Sequence, residues 1–128
     1  MKSIDDILTI GLAKLAADHS GLTIYKGKHP KFVGDNDPDE FFVINSLPVV
    51  TGVVEQAVIN VNIHVDEIGP GKPDFAKLDQ YTKSVISSLH EHHTSGVEFY
   101  YQSHGNEKSR LTGKDYVNVR FKVFAENG

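Results

Sequence analysis

The stretch that most constrains this chain is Gln56–Val65, QAVINVNIHV. Ala57, Ile59, Val61, Ile63 and Val65 fall on every second position, and Gln56, Val58, Asn60, Asn62 and His64 fill the places between. Only an extended strand sends alternate side chains to opposite faces, so one face of this strand meets a core and the other is mostly polar. Read over residues 55–65 at a strand's rise, it spans ~33 Å, against the five or six residues of an ordinary strand. A strand of that length needs a sheet around it.

The segments on either side supply the sheet and its cover. Residues 3–18 carry Ile4, Leu8, Leu12 and Leu15 at helical spacing, widened by Ile7 and Ala16. Ser3 followed by Asp6 predicts a capping box, and Gly21 a stop. Gly11 inside this helix costs ~1 kcal/mol relative to alanine, which a close backbone approach would explain. LTIYK (22–26) reads as a short strand, 27–40 as a long Gly/Pro/Asp loop, and FFVINSL (41–47) as a strand apolar on both faces. PVVTG (48–52) breaks it. A second helix is expected from Pro73 to His92, with Phe75, Leu78, Thr82, Val85, Ile86 and Leu89 on one side. On that reading His90–His93 occupy its last turn and Gly96 ends it. VEFYYQS (97–103) and 116–126 complete the strands, separated by a polar loop, 104–115, too long for a tight turn.

The order is α-β-β-β-α-β-β in a single domain, residues 1–128. The fold class is α+β: a two-layer arrangement with a mainly antiparallel sheet and two helices packed on one face, the β-α-β crossover allowing one parallel pair.

Composition narrows the chemistry. There is no cysteine, hence no disulfide, thiolate metal site or thiol nucleophile. The net charge of −4 argues against nucleic-acid binding, the nearest basic group being Lys108, Arg110 and Lys114 on a loop. No apolar run reaches the ~18 residues of a membrane span, and the N-terminus lacks the apolar core of a signal peptide. A cytosolic location is expected.

His90, His92 and His93 make a candidate metal site, with His64 or His104 as further ligands, but the HExxH pattern is absent. A solvated helix end accounts for them more simply. Asp35, Asp37, Asp39 and Glu40 lack the spacing of a calcium loop. No phosphate loop, nucleophile elbow, dinucleotide fingerprint or coupled Ser/His/Asp spacing occurs. The polar side of the long strand remains. Asn60, Asn62 and His64 share it with Val58, and neighbouring strands bring Phe41 or Phe42 and Phe124. With no third layer to cover it, such a mixed face suits a protein contact.

LTIYKGKHPK, FFVINSLPV, QAVINVNIHV, DFAKLDQYTKSVISSLHEH and KDYVNVRFKVFAEN, in that order, resemble the tail completion and tail terminator (head–tail joining) proteins of tailed bacteriophages and prophages. The resemblance covers nearly the whole chain, in order and texture. It implies a small sheet flanked by helices and a non-enzymatic building block without cofactor or bound metal. It further implies assembly into a ring, commonly sixfold, that meets tail tube and head connector proteins, in the bacterial cytoplasm during assembly and then in the virion tail. Asn60, Asn62, His64, Arg120, Lys108 and Arg110 would then belong to the interaction surface. A metal-dependent enzyme built on His90–His93, or a small-ligand-binding α+β domain, is the alternative.

Overall fold

The computed structural model describes residues 3–28, 40–47, 56–109 and 114–125. It is an α+β fold with two helices and a six-stranded mixed sheet. Helix α1 (Ile4–Asp18) opens with the complete capping box. The Asp6 N–H donates to Ser3 Oγ at 3.1 Å and the Ser3 N–H to Asp6 Oδ2 at 2.9 Å. Strands β1 (Thr23–Lys26), β2 (Phe41–Ser46) and β3 (Gln56–His64) follow. Helix α2 (Phe75–Leu89) leads to β4 (His93–Thr94), β5 (Val97–Lys108) and β6 (Asp115–Ala125).

The sheet order is β1-β2-β3-β6-β5-β4, with β1 and β2 parallel and every other pair antiparallel. The parallel pair is thus not the one expected across the helical crossover. Strands β3 and β5 do run the same way, but β6 inserts between them and pairs with both.

Three further expectations are corrected. Helix α2 is shorter than Pro73–His92: Asp74 caps it by accepting from the Lys77 N–H at 3.1 Å, and it stops at Leu89. His90 is extended and Glu91 has φ 61°, which turns the chain out of the helix. His90 and His92 therefore sit at a turn, and His93 opens a strand, rather than sharing a helical face. That turn enters the short strand β4, which sequence periodicity cannot signal at two residues. Ser95 and Gly96 (φ 51° and 76°) form the two-residue loop of a β4–β5 hairpin. Positive φ at both central residues is what a type I′ turn demands, so Gly96 serves a hairpin and not a helix stop.

The third correction concerns 104–115. Strand β5 continues to Lys108 and pairs with β6 as far as Asp115. A bulge between Tyr101 and Ser103 shifts the register, and Gln102–Lys108 are all exposed. Backbone pairing with β6 and a polar bond from Asn106 Nδ2 to Asp115 Oδ1 (3.1 Å) hold this half of β5, so no apolar alternation marks it in the sequence.

One core joins both helices to the sheet. Ile7, Leu8 and Leu15 of α1 and Leu78, Val85 and Leu89 of α2 are buried with Phe42, Ile44, Ile59, Val61, Ile63, Phe99, Val119, Phe121 and Val123. Gly11 marks a close approach: a Cβ there would stand 2.8 Å from Ile44 Cδ1. The two helices are also tied by polar bonds. His19 Nδ1 lies 2.8 Å from the Leu15 carbonyl and its Nε2 lies 2.5 Å from Ser84 Oγ, while Ser88 Oγ donates to Asp18 at 2.6 Å. Among the described residues no helix is long and apolar enough to cross a membrane. Asp35, Asp37, Asp39 and the break at 48–52 lie outside the described residues.

Candidate interaction face of the sheet

The residues of β2, β3 and β6 that alternate with the core positions build a second face. Register brings Asn45, Asn60 and Arg120 into one row, and Val43, Asn62 and Asn118 into the next. Asn60 is 7% exposed. A buried carboxamide needs its hydrogen bonds met, and here the network also acquires a direction. Arginine has donors only, so Asn60 presents Oδ1 to Arg120 Nε at 3.2 Å. The same oxygen accepts from Asn118 Nδ2 at 3.2 Å. That leaves Asn60 Nδ2 to donate to Asn45 Oδ1 at 3.1 Å. Asn118 Nδ2 also donates to Asn62 Oδ1 at 2.7 Å. Asn45 and Asn62 thus commit their oxygens inward, and no described residue takes the Nδ2 of either.

An aromatic row closes one end of the face. His64 is stacked between Phe41 (centroids 4.4 Å apart, planes 9°) and Tyr116 (4.7 Å, 20°), and Tyr25 meets Phe41 edge-on at 5.6 Å. Burial, and then the charge of Glu107, push the Tyr116 hydroxyl above its usual pKa. At the other end Lys122 lies over the Phe124 ring at 5.4 Å, and Tyr100 packs edge-on to it at 5.8 Å. Of the aromatics expected on this side, Phe41 belongs to it, whereas Phe42 is a core residue packed on His19 and Tyr81.

Between the aromatic row and the asparagines lies an open groove of about 340 Å³. Val43, Asn45, Asn62, His64 and Tyr116 line it together with Lys28 and with Glu107 and Lys108 near the tip of the β5–β6 hairpin. Asn60, Asn62, His64 and Arg120 are therefore gathered on one face, and Lys108 stands at the edge of its groove. Arg110 lies outside the described residues. Lys114, grouped with these cations in the sequence, pairs instead with Asp66 at 3.7 Å.

The histidine cluster does not converge. His90 Nε2 lies 3.6 Å from Glu91 Oε1, His93 Nε2 lies 3.7 Å from Glu98 Oε1, and His92 stacks on Phe99. Tyr101 contacts His104 Nδ1 at 2.5 Å, and His64 is held in its own stack. Among the described residues no three His, Asp or Glu side chains are grouped to hold a metal ion. Burial, followed by the charge of Lys14, lowers the pKa of His92.

Sequence reasoning missed Asn45, Asn118 and Tyr116 as members of the face. Asn118 and Tyr116 were legible as alternate positions of β6 once its pairing with β3 was assumed, but Asn45 lies in a strand apolar on both sides. No protein-family model matches this chain, and no match is found among curated proteins.

Proposed function

We propose that this protein is a structural component of a bacteriophage or prophage tail, a tail completion or head–tail joining protein that works through protein–protein contact rather than catalysis. The observation that carries the reading is the pre-organised second face of the sheet. Its amides and aromatic rings are fixed by one another, as an interface poised for a partner requires. The resemblance of the sequence, in order and texture, to tail terminator proteins supports it. So does the exposed outer half of β5, an edge on which another chain's backbone can pair.

On this reading both helices cover the core face, in a two-layer arrangement, and leave the other face to neighbours. Copies of the chain close a ring, commonly sixfold in proteins of this kind, by heterologous contacts, and the ring meets tail tube and head connector proteins. The work is done in the bacterial cytoplasm and the product resides in the virion tail. Native mass spectrometry and electron microscopy of mixtures with tail tube and connector proteins test the proposal. Rings, or stoichiometric complexes with either partner, are expected. A protein that stays monomeric and binds neither overturns it.

A further inference from the structure

We infer that the groove beside His64 seats an acidic, extended segment of the partner protein. Lys28 and Lys108 would take carboxylates, and Asn45 and Asn62 would donate to main-chain carbonyls. The inference rests on the assembly reading above and names the chemistry of the partner.

Two observations carry it. Lys14, Lys26, Lys77, Lys83 and Lys114 each have a carboxylate partner. Lys28 and Lys108, which line the same groove, have none among the described residues. The second is the direction of the amide network. Arg120 turns the oxygen of Asn60 toward itself, and through Asn60 and Asn118 the oxygens of Asn45 and Asn62 are consumed. The free Nδ2 groups of Asn45 and Asn62 therefore join the two ammonium groups in a cleft whose one carboxylate among the described lining residues is Glu107. Such a cleft selects a ligand rich in acceptors and negative charge.

The surrounding face has the same sign. Lys28, Lys108, Arg120 and Lys122 outnumber Glu98, Glu107 and Asp115, on a chain whose net charge is −4. A short groove with one carboxylate at its edge fits a peptide carrying separated acids better than the dense charge of a nucleic-acid backbone, which needs a longer basic track.

Fluorescence anisotropy with labelled hexaglutamate tests the inference, with hexaglutamine, inorganic phosphate and a short DNA duplex as competitors. Hexaglutamate is expected to bind, more weakly as salt rises. Lys28→Gln/Lys108→Gln should bind it about tenfold less tightly, each exposed pair contributing modestly. Asn62→Asp, which puts an acceptor where the free donor stands, should weaken it further. Absence of binding, equal binding of hexaglutamine, an unchanged affinity in the double lysine variant, or displacement by duplex or phosphate in preference to excess unlabelled hexaglutamate would each overturn it. If tube or connector proteins bind the chain while hexaglutamate does not use the groove, this inference fails and the assembly reading stands. If hexaglutamate binds there but no ring or complex forms, the reverse holds.

Discussion

Replacing Gly11 by alanine pits two opposing terms against each other at a known distance. In a helix interior alanine is favoured over glycine by ~1 kcal/mol. Against this, the new Cβ would stand 2.8 Å from Ile44 Cδ1, and 3.5 and 3.6 Å from Phe99 Cε1 and Cζ. Carbon atoms rest at about 3.5–4.0 Å, so the isoleucine methyl must withdraw by roughly 0.7 Å. Ile44 is 0% exposed and so cannot swing out into solvent. Overpacking of that kind costs ~1–3 kcal/mol. The net expectation for Gly11→Ala is a loss of ~1 kcal/mol. Ile44→Val deletes the offending methyl and by itself costs ~0.5–1.5 kcal/mol. In that background Gly11→Ala should turn stabilising by ~1 kcal/mol, a coupling of ~2 kcal/mol between the two positions. Urea unfolding of the four proteins, with unchanged denaturant slopes, measures the cycle. An alanine effect of the same sign and size in both backgrounds refutes the packing argument.

Asn60→Leu removes the partner of Asn45 Oδ1 and of Arg120 Nε and one of the two acceptors of Asn118, and should lower stability by ~1–3 kcal/mol in thermal or urea melts; a neutral result would mean that water serves these groups as well. Ser95→Asn supplies the residue a type I′ hairpin favours, and should raise stability by ~0.5 kcal/mol, while Gly96→Ala at φ 76° should lower it. Burial on Phe99, with Lys14 and His93 nearby and Asp18 opposing them, depresses the folded pKa of His92. The unfolded chain therefore binds the proton more readily. The contribution is whole above pH ~6.5 and is lost as pH falls through the depressed folded value. The stability difference between wild type and His92→Gln should move against the wild type from pH 7.5 to 5.5, and parallel pH profiles would contradict this.

What was legible in the sequence is what side chains alone dictate. The alternation of β3 named its core face, Ser3 and Asp6 announced the start of α1, and the glycine inside α1 marked a close approach. What was illegible depends on partners distant in sequence. The polar half of β5 is a strand only because β6 offers it a template. The helix end at Leu89 turns on the extended backbone of His90 and the positive φ of Glu91, which no periodicity reports. Of the candidate face, Asn60, Asn62, His64 and Arg120 were visible, but the orientation of its amides was not. It follows from Arg120, which lies across the sheet from Asn60 and 60 positions away along the chain.

The outer border of β5 has a consequence for aggregation. Near its start it is occupied: the Glu91 N–H donates to the Phe99 carbonyl, the Phe99 N–H to the His92 carbonyl, and the Tyr101 N–H to His90 Nδ1. Beyond that point come a kink in register, a glycine, and charge at Glu107 and Lys108. A border of this character discourages random stacking of free molecules, the usual hazard of an open sheet. Copies of the chain at high concentration are thereby kept from growing into fibres along this edge.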